Sequence, residues 1–154
     1  FFPFRSLPAE QEMGSARPVY ENLTVGPRDE AQPPPEGTGA LLCVAEEHSL
    51  PETGLPAHKI PITDMKPIPA GQLGEAVGWI DSHIDSHHIY LFCNAGVGRS
   101  PSVSIAYLCC YRGFSFGEAV EHVARRKPDI SKLPRLIERI ETVRSRLEEE
   151  QGND

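Results

Sequence analysis

Cys93-Asn94-Ala95-Gly96-Val97-Gly98-Arg99-Ser100 decides the reading of this 154-residue chain. Ahead of it stands Ile89-Tyr90-Leu91-Phe92, apolar and aromatic as a buried strand is. Behind it, Ser102 to Tyr111 carries Val103, Ile105, Ala106, Leu108 and Cys109, dense enough for a buried helix. The stretch therefore reads as a loop from the C-terminal end of a strand to the N-terminus of a helix. Pro101 suits the first helical turn, where no N–H partner is needed. Gly96 and Gly98 let the backbone bend so that successive N–H groups converge on one cavity. Such a cavity at a helix N-terminus suits a phosphate-like anion. Cys93 opens the loop and Arg99 closes it. A helix N-terminus and a guanidinium both favour the thiolate, which is the nucleophilic form. The planar fork of Arg99 matches two phosphate oxygens.

Cysteine, five residues, arginine and then Ser/Thr, at a strand-to-helix turn, resembles the signature of the cysteine-based protein tyrosine phosphatases. With Pro101-Ser102 after it, the form is similar to the small dual-specificity branch. The resemblance covers most of residues 19–147, more strongly from Ala40 onward. It implies an α/β fold and hydrolysis of phosphate monoesters through a phosphocysteine, with no metal or other cofactor. Carried onto this chain, Cys93 is the nucleophile. Arg99 and the amides of Asn94, Ala95, Gly96, Val97 and Gly98 bind the phosphate, and the Ser100 hydroxyl eases departure of Cys93 in the second step.

The resemblance also implies an aspartate on a separate upstream loop, which protonates the leaving oxygen so that an alcohol departs. Asp64 stands 29 residues before Cys93, after an expected strand and on a loop stiffened by Pro67 and Pro69. Asp81 and Asp85 fall on an expected helix and read as solvated surface groups. One departure stands out: most relatives carry His immediately before the cysteine, and here the residue is Phe92. That removes one hydrogen-bonding support of the loop and predicts a less activated thiol, without removing nucleophile, arginine or acid.

A net charge of −7 and a pI near 5.4 argue against nucleic acid or an anionic membrane as the general partner. An anionic substrate needs a local positive site, which the loop supplies. No run of about 18 apolar residues is present, so no segment of this chain is expected to span a membrane. Cys43, Cys93, Cys109 and Cys110 show neither a zinc spacing nor a disulfide framework. Free thiols favour a reducing compartment, here the cytoplasm. A chain that begins with Phe1 rather than Met is expected to be processed or a fragment, which leaves an upstream anchor open. The chain is expected to act as a monomer.

Residues 1–18 read as an N-terminal arm and 19–150 as the catalytic domain. Val19 to Val25 partly alternates and is stopped by Gly26-Pro27, so it predicts an edge strand. Ala40 to Ala45 is an apolar run and predicts a central strand. Residues 46–57 read as a polar surface connection. His58 to Thr63 is a third extended segment, placed at an edge by Pro61. Leu73, Val77, Ile80 and Ile84 recur at helical spacing, and His87-His88 reads as a solvated pair at that helix's end. Gly113 is a left-handed helix stop, and Ser115-Phe116-Gly117-Glu118 a capping box. Arg125, Arg126 and Lys127 read as compensation of a helix dipole. A last helix over about 132–149 carries Leu133, Leu136, Ile137, Ile140, Val143 and Leu147 on one stripe. The sum is an α/β fold with a short, mostly parallel central sheet and helices on both faces.

For substrate, a phosphorylated protein stands first. The absence of Lys among Asn94 to Gly98 weighs against a phosphoinositide. The order of Asn94 to Gly98 also resembles the loop of glucan phosphatases, over five residues only. A phospho-binding pseudophosphatase is the non-enzyme alternative, disfavoured by the presence of Cys93, Arg99 and Asp64. A protecting disulfide between Cys43 and an oxidised Cys93 is a further expectation to test.

Overall fold

The computed structural model describes residues 15–152. A five-stranded sheet runs in the order β1-β2-β5-β3-β4. Its strands are β1 (Arg17–Tyr20), β2 (Leu23–Pro27), β3 (Ala40–Cys43), β4 (Ala57–Lys59) and β5 (Ile89–Cys93). β1 pairs antiparallel to β2, and every other pair is parallel. The helices are α1 (Ala70–His83), α2 (Arg99–Tyr111), α3 (Phe116–Arg126) and α4 (Leu136–Gly152). The expected α/β class with a short, mostly parallel sheet holds. α2 touches β2 and β5 as well as α1, α3 and α4, so the α-helices pack on one another against the sheet.

β5 lies at the centre because every one of its five residues is buried, as the continuous apolar run demands. Its last residue is Cys93, and α2 begins six residues later, so the loop between them opens at the carboxyl end of the sheet. That is where ligands bind in open α/β sheets. α2 is buried along nearly its whole length, and even Ser100, Ser102 and Ser104 are enclosed. The Ser104 hydroxyl is satisfied by the Pro101 carbonyl at 2.7 Å.

Several expectations require correction. The run Val19 to Val25 is not one edge strand but a hairpin. Asn22 takes a left-handed conformation (φ 61°), which asparagine tolerates, and its side-chain amide donates to the Ile84 carbonyl at 2.9 Å. Only β1 is at the edge; β2 lies inside, and Pro27 closes it opposite Cys93. Arg17 and Pro18, expected in the arm, pair with Val25 and Thr24 in β1. Residues 1–14 of that arm lie outside the described residues. His88 is not simply solvated: its Nε2 shares a 2.8 Å hydrogen bond with Thr24 Oγ1. Lys127, expected to compensate the helix dipole, is buried against the Asp129 carboxylate at 3.0 Å. The last helix starts at Leu136, because Arg135 is left-handed (φ 58°), and Ile137 points outward at 44% exposure.

Other readings hold. β4 is the opposite edge strand. Gly113 is left-handed (φ 78°). Ser115 and Glu118 form a reciprocal capping box. Leu73, Val77, Ile80 and Ile84 are buried.

Candidate active site

The loop from Cys93 to Arg99 packs on the end of β2, and this contact sets its glycine requirement. Gly96 is left-handed (φ 78°), and a Cβ there would stand 2.6 Å from the Gly26 carbonyl carbon and 2.8 Å from the Pro27 nitrogen. No side chain fits. The Arg28 amide donates to the Asn94 carbonyl at 3.0 Å, and the Ser131 amide to the Val97 carbonyl at 2.7 Å. The loop is therefore gripped on both flanks by neighbouring segments.

Cys93 is buried at the base. Its Sγ lies 3.2 Å from Ser100 Oγ and accepts from the Ser100 amide at 3.4 Å. Hydroxyl and amide thus converge on sulfur from the first turn of α2, where donors stabilise an anion. Arg99 is buried too, 1% exposed. Its Nη1 donates to Glu47 Oε1 at 2.7 Å and to the Ile62 carbonyl at 2.9 Å, and its Nη2 donates to Glu47 Oε2 at 2.6 Å. Its Nε has no hydrogen-bond partner. Asp64 Oδ1 stands 3.7 Å from that Nε, an ion pair beyond hydrogen-bond reach. The Asp64 carboxylate is half exposed and accepts from the Met65 amide at 2.9 Å.

These residues surround one cavity of about 410 Å³, lined by Asp64, Met65, Cys93, Ala95, Val97, Gly98, Arg99 and residues 131–134. The fold thus brings Cys93, Arg99, Ser100 and Asp64 together, while Asp81 and Asp85 sit exposed on and after α1. Phe92 is enclosed and stacks on Tyr90, ring centroids 5.5 Å apart. Cys43 is buried, its thiol 3.7 Å from the Ala45 carbonyl, and burial pushes that thiol up. Among the described residues, no group of three or more His, Cys, Asp or Glu is arranged to hold a metal ion. No helix of the described residues is long and apolar enough to cross a membrane.

Glu47 was not expected. Its hydrogen bonds from the Arg99 guanidinium hold its carboxyl well down, at about 2. His48, Met65 and the 131–134 segment were missed as well. The available signal was position: Glu47 follows the β3 run at the same carboxyl edge as Cys93.

The family comparison agrees with this geometry. The family described as dual specificity phosphatase, catalytic domain, matches residues 40–145, which include the whole cavity. The chain belongs to that family. Dual specificity protein phosphatase Mpk3 of Drosophila melanogaster is 34% identical over 91 residues, which are 58% of this chain and 22% of that protein. The chain therefore spans about a fifth of the length of this curated relative. Among solved structures, Tk-PTP in the active form has a TM-score of 0.74 and 24% identity, covering 86% of this chain and 97% of that one. Human DUSP28 has a TM-score of 0.72 and 18% identity, covering 87% and 99%. PTPMT1 in complex with PI(5)P has a TM-score of 0.72 and 17% identity, covering 88% and 98%. At these identities the dual-specificity phosphatase fold is what the three structures share with this chain.

Proposed function

We propose that this chain is a protein phosphatase that hydrolyses phosphotyrosine, and phosphoserine or phosphothreonine, through a phosphocysteine intermediate. It acts as a monomer on phosphorylated proteins, and its free thiols suit the cytoplasm. One observation carries the reading. The buried Arg99 guanidinium has both terminal nitrogens engaged by Glu47 and Ile62, and its Nε is left without a partner in the cavity that holds Cys93 Sγ. A buried N–H without a hydrogen-bond partner is costly unless an acceptor completes it, and Asp64 at 3.7 Å does not.

The cycle follows from the positions. The Cys93 thiolate attacks phosphorus, and the bond from phosphorus to the ester oxygen breaks. Asp64 delivers a proton to that oxygen. Arg99 and the loop amides take up the charge on the equatorial oxygens. The Asp64 carboxylate then removes a proton from water, which attacks phosphorus. The phosphorus–sulfur bond breaks, and the Ser100 hydroxyl stabilises the departing thiolate. The products are free enzyme and inorganic phosphate.

Phosphate release tests this on a phosphotyrosine peptide, a phosphothreonine peptide, a phosphorylated glucan and a phosphoinositide, with Cys93→Ser as the blank. Turnover of the peptides that vanishes in the variant is the expected result. Preference for the glucan or the lipid would move the substrate class. No turnover by wild type on any member would replace the enzyme with a phospho-binding module.

A further inference from the structure

One short segment after β3 holds the phosphate loop at both ends. Glu47 takes Arg99, the last loop residue. His48, its neighbour, reaches Asn94, the first residue after the nucleophile: His48 Nε2 donates to Asn94 Oδ1 at 2.8 Å. The Asn94 carbonyl is separately held by the Arg28 amide. Asn94 is thus tied by main chain and side chain together. The segment is itself braced. The His48 amide donates to the Ala45 carbonyl at 3.3 Å, the Cys43 thiol lies 3.9 Å from the His48 carbonyl, and the Lys59 ammonium donates to the Glu46 carbonyl at 3.1 Å.

The side chain before the nucleophile gives no such help. Phe92 is apolar and enclosed against Tyr90, so its side chain offers no hydrogen bond. Asn94 and Ala95 are exposed, and Gly96 and Gly98 widen the conformations open to an unbraced loop. A loop that must order itself around an oxyanion binds it more weakly than one already ordered. Donors fixed in advance also stabilise a developing charge most effectively.

We infer that His48 is a positioning residue for the phosphate loop, fixing its start through the Asn94 side chain as Glu47 fixes its end through Arg99. The brace acts on oxyanion affinity and, through it, on catalysis. The catalytic half rests on the phosphatase reading above; the binding half does not need turnover.

The experiment measures tungstate affinity by calorimetry and kcat/KM on p-nitrophenyl phosphate. The proteins are wild type, His48→Ala, His48→Gln, Asn94→Ala and the double alanine variant. His48 is half-buried and Asn94 exposed, so none of these leaves a cavity in the core. His48→Ala is expected to weaken tungstate and lower kcat/KM by about three- to tenfold at an unchanged melting temperature. His48→Gln, whose amide nitrogen reaches the place of the ring Nε2, restores both. The double variant is no worse than Asn94→Ala alone. Wild-type tungstate affinity in His48→Ala overturns the inference, as does failure of the glutamine to rescue, or losses that add in the double variant. If tungstate binding follows the expected pattern while wild type turns over nothing, the brace stands and the phosphatase reading falls.

Discussion

Arg99 and Glu47, 52 residues apart, meet fork to fork, with both terminal guanidinium nitrogens on the two carboxylate oxygens at 2.7 and 2.6 Å. The pair sets the orientation of the guanidinium and leaves Nε without a hydrogen-bond partner. It also joins the segment after β3 to the first turn of α2, so the same contact serves site and fold.

Replacing Glu47 by Gln should therefore affect both. The charge-assisted fork becomes a neutral contact, and kcat/KM on an aryl phosphate should fall by about 10- to 100-fold. Stability carries a pH signature. The folded carboxyl is held at about 2, below its ordinary 4.5, so its contribution is present above about pH 4.5 and is lost as pH falls through about 2. Urea unfolding of wild type and Glu47→Gln at neutral pH and near pH 2 checks this. A stability gap that stays constant across the range would contradict it.

Gly96 and Gly117 make a paired prediction. At Gly96 an added methyl meets backbone on the β2 side, under 3 Å, in a left-handed conformation. Strain of about 1–3 kcal/mol and displacement of the phosphate loop should follow. Activity of Gly96→Ala should fall at least as far as that of Glu47→Gln. At Gly117, within α3, a Cβ meets nothing within 4 Å. Gly117→Ala should stabilise by about 0.5–1 kcal/mol through helix propensity. Melting curves and phosphate release of the two variants, compared side by side, decide.

The loop from Cys93 to Arg99 was legible because it is local: cysteine, glycines and arginine lie within seven residues between a strand and a helix. Asp64 came from the family resemblance, and the fold brings it into the cavity with Cys93 and Arg99. The β1–β2 hairpin was not legible, because Glu21-Asn22 turns without glycine or proline inside an alternating run. Nor were Glu47 and His48. A polar connection looks the same in sequence whether its side chains face water or a loop 46 to 52 residues away. Lys127 resembled its basic neighbours, and only packing encloses it with Asp129.

Asp64 should show its role in the dependence on leaving group. A phenol as acidic as p-nitrophenol departs without much help, whereas tyrosine or threonine needs the proton. Asp64→Asn should therefore lose about 10²–10⁴-fold in kcat on a phosphotyrosine peptide and much less on p-nitrophenyl phosphate. Equal losses on both substrates would assign Asp64 to holding Arg99, from which it stands 3.7 Å, rather than to proton transfer.

His122 gives the fold a second, separate response to acid. Its ring sits between Tyr20 and Phe114, with centroids 5.9 and 5.2 Å away, where α3 packs on β1. Its Nε2 is buried without a hydrogen-bond partner. Burial, and then the nearby Arg126 and Arg125, hold its pKa below the ordinary 6.5. The unfolded chain therefore takes up the proton first. Stability is fully present above pH 6.5 and declines as pH falls through the lower folded value. The decline begins near pH 6.5, whereas that of Glu47 begins near 4.5. Wild type should lose melting temperature as pH falls below about 6.5, and His122→Gln, which cannot charge, should hold its own value flat over that interval. Parallel declines in the two proteins would show that the acid response arises elsewhere than in the seam between β1 and α3.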